Sequence, residues 1–138
     1  MSLNRIMALD IGTKRIGIAL SDPLLITAQP FDTIQRIPEN EAIDKIVQII
    51  KSYNVNKIVA GLPLMMNGDF GSQAQDCKDF GEKISQKTQI DVIFIDERLT
   101  SFEAEEILKK QKVKYTKDKG LVDKIAASII LKEYLDTL

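Results

Sequence analysis

The chain has 138 residues, 44% apolar and 28% charged, with a formal net charge of −1 and no histidine. That length fits a single domain, residues 1–138, with room for a substantial core. The near-neutral charge excludes a protein that binds polyanions by overall basicity, so any nucleic-acid partner must be met by a local patch.

The lack of histidine removes Ser-His-Asp triads, Cys-His dyads and His-based zinc sites together. Chemistry at neutral pH is left to carboxylates, lysine, hydroxyls or a bound metal, and carboxylate oxygens favour hard cations such as Mg²⁺ or Mn²⁺. No apolar run approaches the ~20 residues of a membrane span. The segment Met1-Ser2-Leu3-Asn4-Arg5 lacks the apolar core and cleavage site of a signal peptide. Cys77 is the single cysteine, which suits a reducing compartment. The expectation is a cytoplasmic protein with no membrane partner.

Met7 to Asp22 reads as two short apolar strands joined by a Gly12-Thr13-Lys14 turn. Alternation puts Ile6, Ala8 and Asp10 on one face of the first strand and Met7, Leu9 and Ile11 on the other. A carboxylate in line with Ile6 and Ala8 is expensive to bury without a cation or a proton. On this stretch alone, an aspartate that merely caps the turn explains the pattern equally well. Gly12 and Gly17 are expected to leave room above the strand for a ligand.

Ala28 to Ile34 reads as a third strand, placed at an edge by Pro30. Pro38-Glu39-Asn40 opens a helix with Ile43, Ile46, Val47, Ile50 and Tyr53 at helical spacing, closed by Asn54 and Asn56. Lys57 to Leu62 is a buried strand. A loop from Leu64 to Gly71 turns at Asn67-Gly68-Asp69. A second helix runs from about Ser72 to Lys87 with Ala74, Cys77, Phe80 and Ile84 inward, which makes Cys77 a packed thiol. Asp91 to Asp96 is another buried strand. Thr100-Ser101-Phe102-Glu103 fits a capping box for a helix to about Gln111, and the last helix covers Leu121 to Leu138. Three antiparallel strands followed by strand–helix alternation predict an α/β protein with a mixed five-stranded sheet and helices on both faces.

Two further acidic positions stand out. In Asp96-Glu97-Arg98-Leu99-Thr100 a buried strand ends in two acids, and function collects at the carboxyl ends of parallel strands. Solvated loop acids paired with Arg98 are the plain alternative. Asp123 shares its side of the last helix with Ala126, Ala127, Ile130 and Tyr134, inside the apolar stripe rather than at its border. A helix-start aspartate is often only a cap, yet a cap need not lie on the inward face. Three inward acids repel one another unless cations join them. If Asp10 and Glu97 end strands two positions apart, about two spacings of ~4.8 Å separate their backbones. That gap suits carboxylates converging on ions such as those of two-metal sites, ~3.5–4 Å apart.

Residues 109–119 carry six lysines against one aspartate. Such runs are often plain solvated loops. This one leads to Asp123, so Lys112, Lys114, Lys117 and Lys119 are candidate phosphate contacts, with Lys14, Arg15 and Arg98 extending the rim. Tyr115 offers one stacking surface.

Four motifs, Asp10-x-Gly12-x-x-Arg15-Ile16-Gly17-x-Ala19-x-Ser21-Asp22, Gly61-Leu62-Pro63 with Asn67-Gly68, Asp96-Glu97-Arg98-Leu99-Thr100, and Asp123-x-x-Ala126-Ala127-x-x-Ile130-Leu131, resemble the YqgF (RuvX) family in order and spacing. Ser101 stands where the family often has a second threonine, and the hydroxyl is kept. The resemblance implies an RNase H-like fold and an acidic site using Mg²⁺ or Mn²⁺. It also implies a bacterial cytoplasmic nuclease associated with maturing the 5′ end of pre-16S ribosomal RNA, with the ribosome as a further partner, or one that resolves branched DNA. Carried over by motif, Asp10, Glu97 and Asp123 are the metal-binding catalytic carboxylates, with Asp96 as a companion.

Two other classes compete. Asp10-Ile11-Gly12-Thr13 also resembles the opening hairpin of the actin and sugar-kinase type phosphotransferases. Their nucleotide cleft needs two such domains, and this chain supplies one. A noncatalytic RNA- or ribosome-binding module is the other, although all three acids are in place.

Overall fold

The computed structural model describes residues 4–65, 67–97 and 119–138, with Lys119 described by its backbone alone. A five-stranded sheet organises them. Its strands are β1 (Arg5–Ile11), β2 (Arg15–Ser21), β3 (Ala28–Gln35), β4 (Val55–Leu62) and β5 (Val92–Asp96), in the order β3-β2-β1-β4-β5. The first three pair antiparallel, and β4 and β5 add parallel strands beside β1. The mixed sheet expected from the sequence is therefore observed, and Asp10 and Glu97 lie on or just beyond strands two positions apart.

β3 is the edge strand that Pro30 predicts. Its register with β2 slips between Ile18, opposite Asp32, and Ala19, opposite Pro30, so one residue bulges where proline has no N–H to give the ladder.

Among the described residues three helices cover the sheet: α1 (Glu39–Ser52), α2 (Ser72–Thr88) and α3 (Lys119–Leu135). Period-2 alternation in the strands splits the core in two. Met7, Leu9, Ile16, Ile18 and Ile58 face α1 and α2, packing with Ile46, Phe80 and Ile84. Ile6, Ala8, Ala19 and Val59 face α3, packing with Ala127, Ile130 and Leu131. Full burial of side chains such as Ile130 and Leu131 is worth about 1.5–3 kcal/mol each before entropy is counted, and this is what fixes α3 against the sheet. Ala126 and Ala127, both fully buried, let its backbone come close.

Several boundaries differ from the sequence reading. Asn54 ends α1 in a left-handed conformation (φ 54°), but Asn56 already belongs to β4 and has no closing role. α3 is already helical at Lys119, two residues before the expected start, and ends at Leu135, so Asp123 lies at least one turn inside it rather than at its start. The helix expected over 100–111 lies outside the described residues.

Candidate active site

Strand alternation brings two acids to the α3 face, and α3 itself supplies a third. Asp10 continues the row Ile6, Ala8 on β1, and Glu97 continues the row Ile93, Ile95 just past β5, where its backbone N–H donates to the carbonyl of Leu62 at 3.0 Å. Asp123 descends from α3 onto the same face. The two flanking strands make room for this. Across β2, Asp10 pairs with Gly17, and a Cβ there would meet the Asp123 carbonyl oxygen at 2.0 Å. Toward β4, one step beyond the Leu9–Ala60 pair, lies Gly61, where a Cβ would meet Cβ and Cγ of Glu97 at 3.3 Å and Ile130 Cδ1 at 2.8 Å. Asp10 thus has a glycine on each neighbouring strand, and an acid-bearing residue is seated on each glycine.

This corrects the expectation for Gly17. Its open face admits the α3 backbone at Asp123, not a ligand. Gly12 is likewise filled from within the hairpin, since a Cβ there would stand 2.7 Å from the Arg15 carbonyl oxygen.

The electrostatics follow from this crowding. Burial pushes the Asp10 carboxyl up from 3.8 to about 6, and the negative charge of Asp123 adds to the rise. Asp123 has a cationic partner: Arg15 donates its Nε–H to Asp123 Oδ2 at 2.6 Å. Glu97 Oε1 is itself buried. Among the described residues no group of three or more acids, histidines or cysteines is gathered tightly enough to enclose an ion. The donor set nevertheless suits a hard divalent cation, being all carboxylate and arranged around one acid whose negative charge is poorly tolerated.

Asp96 does not join the trio. It is exposed and shares its side of β5 with Val92 and Phe94, which pack on α2 at Gly81, the opposite face from Glu97. A single step along a strand reverses the side chain's direction. Lys14 is exposed on the β1–β2 turn. Arg98, Lys112, Lys114, Lys117 and the Lys119 side chain lie outside the described residues, as does Tyr115.

The sequence reading missed a brace behind the site. Arg36, nearly buried beneath the turn, forks onto Asp76 (Nη1–Oδ2 2.6 Å, Nη2–Oδ1 2.7 Å) and also donates to the Gly12 carbonyl at 3.0 Å. Its guanidinium lies 5.0 Å from the centre of the Phe80 ring. Cys77 Sγ donates to the Ile11 carbonyl at 3.3 Å, and burial raises this thiol to about 11, so it is inert. The two carbonyls that follow Asp10 are thereby tied to α2. An acid beside inward-facing Cys77 on α2 was the only sequence signal for this pairing.

A mixed sheet of this order with helices on both faces is the RNase H-like arrangement, the fold on which resolvase-type nucleases are built. Among solved structures, RuvC of T. thermophilus bound to a Holliday junction aligns over 97% of this chain and 94% of its own, with a TM-score of 0.60 at 8% identity. The Fowlpox virus resolvase with junction DNA covers 96% and 97%, also at 0.60, with 14% identity. At such identities the likeness speaks for the fold. The family match is direct. The RuvX family, described as Holliday junction resolvase, covers residues 4–137, and the chain belongs to it. Relatives bearing the name "Putative pre-16S rRNA nuclease" include one from Roseiflexus sp. (strain RS-1), 43% identical over 96% of this chain and 94% of its own. Another, from Endomicrobium trichonymphae, is 46% identical over 97% and 96%.

Proposed function

We propose that this chain cuts pre-16S ribosomal RNA near its 5′ end, in the cytoplasm and in association with the ribosome, using Mg²⁺ or Mn²⁺ held by Asp10, Glu97 and Asp123. The observation that carries the reading is the seating of Asp123 and Glu97 on the glycines that flank a half-buried, destabilised Asp10. Nothing in the hydrophobic packing calls for three acids on that face, and the Asp10 carboxylate costs free energy there unless a cation compensates it.

A divalent cation held by Asp10, Glu97 and Asp123 would supply an activated water and charge neutralisation at the scissile phosphate. The residues do the rest. Asp10, tied down by the braced carbonyls of Ile11 and Gly12, offers its carboxylate in one fixed place. Glu97 and Asp123 approach from either side. Lys14 is exposed on the neighbouring turn, where it can meet a backbone phosphate, and the lysine-rich sequence at 109–119 is a candidate for the same role. Preorganised charge of this kind is a large part of the rate enhancement in such sites.

Names of relatives at 42–46% identity favour the ribosomal RNA substrate. The family description favours branched DNA as a second reading. One experiment addresses both: purified protein with Mg²⁺ is given a pre-16S leader RNA and a four-way DNA junction, wild type beside Asp10→Asn. Cleavage of the RNA by wild type alone is expected. Equal products from the two proteins would sink the assignment, and cleavage of the junction alone would move it to DNA.

A further inference from the structure

The Arg15–Asp123 pair is the feature of the site that the proposed chemistry does not use. Its 2.6 Å separation is a charge-assisted hydrogen bond at the short end of the range. The side chains are 31% and 20% exposed, so the pair stands at the rim of the sheet face and not in the core. It is built into the fold. Arg15 and Gly17 are two residues apart on β2 and project to the same side. Because the α3 backbone rests on Gly17, the Asp123 carboxylate is delivered to the guanidinium. With one Asp123 oxygen held there, no three acids among the described residues close on a common point.

We infer that Arg15 is the resident counter-ion of Asp123 in the cation-free protein, and that a divalent cation and Arg15 compete for that carboxylate. This rests on reading the three acids as a cation site. Arg15 then acts as a stand-in charge: it relieves the repulsion between Asp123 and Asp10 while the site is empty, and it sets the affinity with which the site fills. The alternative role, in which Arg15 aims the carboxylate at the ion, has the opposite sign. Removing a competitor tightens binding, whereas removing an orienting group weakens it.

The test is Mn²⁺ binding by titration calorimetry on the full chain, with no substrate present. Wild type, Arg15→Gln, Arg15→Lys, Asp123→Asn and the Arg15→Gln/Asp123→Asn double variant are compared, with circular dichroism to confirm folding. Competition predicts Mn²⁺ binding about tenfold tighter in Arg15→Gln, the loss of one good ion pair from the competing state. Arg15→Lys keeps the charge and the fold but not the planar donor, and falls between. In the Asp123→Asn background the Arg15→Gln change has no effect, because the pair is already gone. Equal or weaker Mn²⁺ binding by folded Arg15→Gln, while wild-type binding still depends on Asp10, overturns the inference and leaves the cation site standing. Absence of Mn²⁺ binding in wild type overturns both.

Discussion

Asp10→Asn should stabilise the cation-free protein at neutral pH while abolishing cleavage. The folded state raises the Asp10 carboxyl from 3.8 to about 6, so the fold prefers it protonated. The penalty is absent below about pH 3.8, where the carboxyl is protonated in both states. It grows as the unfolded chain begins to ionise and is constant above about pH 6. A rise of that size corresponds to about 3 kcal/mol at most at pH 7.5. Asp10 is half-buried, so water screens part of this, and the amide brings its own desolvation cost; a gain on the order of 1–3 kcal/mol is expected. The assay is urea unfolding of both proteins in EDTA at pH 7.5 and pH 4.5. The advantage of Asp10→Asn should be clear at the higher pH and shrink to well under half at the lower one. Saturating Mg²⁺ should then reverse the order by stabilising wild type alone; an ion at 100 times its dissociation constant adds about 2.7 kcal/mol. A variant less stable than wild type at both pH values, or a difference independent of pH, would refute the claim that Asp10 sits in an unfavourable charged state.

The two glycines that flank Asp10 should respond differently to alanine. At Gly17 the new Cβ meets backbone of α3, the Asp123 carbonyl at 2.0 Å, so the helix must lift and a loss of about 3 kcal/mol or more is expected from the urea midpoint. At Gly61 it meets the Cδ1 end of Ile130 at 2.8 Å, which can swing aside, and Cβ and Cγ of Glu97 at 3.3 Å, which must give by a few tenths of an ångström, so a smaller loss of about 1–2 kcal/mol is expected. Arg36→Met strips Asp76 and the Gly12 carbonyl of their shared donor, and about 2–3 kcal/mol of stability should be lost at pH 7. Since Arg36 holds the Asp76 carboxyl below its ordinary value, that wild-type advantage should decline as the pH falls below the usual carboxylate range. Denaturation of wild type and variant at pH 7 and pH 3 checks both statements.

How much of this could be seen in the chain itself differs from feature to feature. The placement of Asp10 on the α3 face was legible because a strand has period two, and Ile6 and Ala8 fix its phase. Asp123 was legible for the same kind of reason: Ala126, Ala127 and Ile130 set the phase of its helix. The mixed character of the sheet followed from antiparallel strands preceding strand–helix alternation. What could not be read was distance. Nothing in the sequence told Arg15 to reach Asp123, 108 positions away, in preference to a phosphate, or Arg36 to find Asp76 on another helix. Gly17 was misjudged on the same ground. A missing Cβ announces that something approaches closely, but not that the something is the chain's own helix. Asp96 and Glu97 show the limit from the other side, since adjacent acids look alike in sequence and point to opposite faces in the sheet.

The central claim is that Asp10, Glu97 and Asp123 share a divalent cation on the α3 face of the sheet. Anomalous diffraction from crystals soaked in Mn²⁺ tests it most directly. The account predicts a manganese peak within coordinating distance of all three carboxylates, about 2.0–2.3 Å from each ligating oxygen, with Asp123 withdrawn from Arg15. Manganese bound elsewhere, or a vacant acidic face at saturating Mn²⁺ with Asp123 still on Arg15, would contradict it.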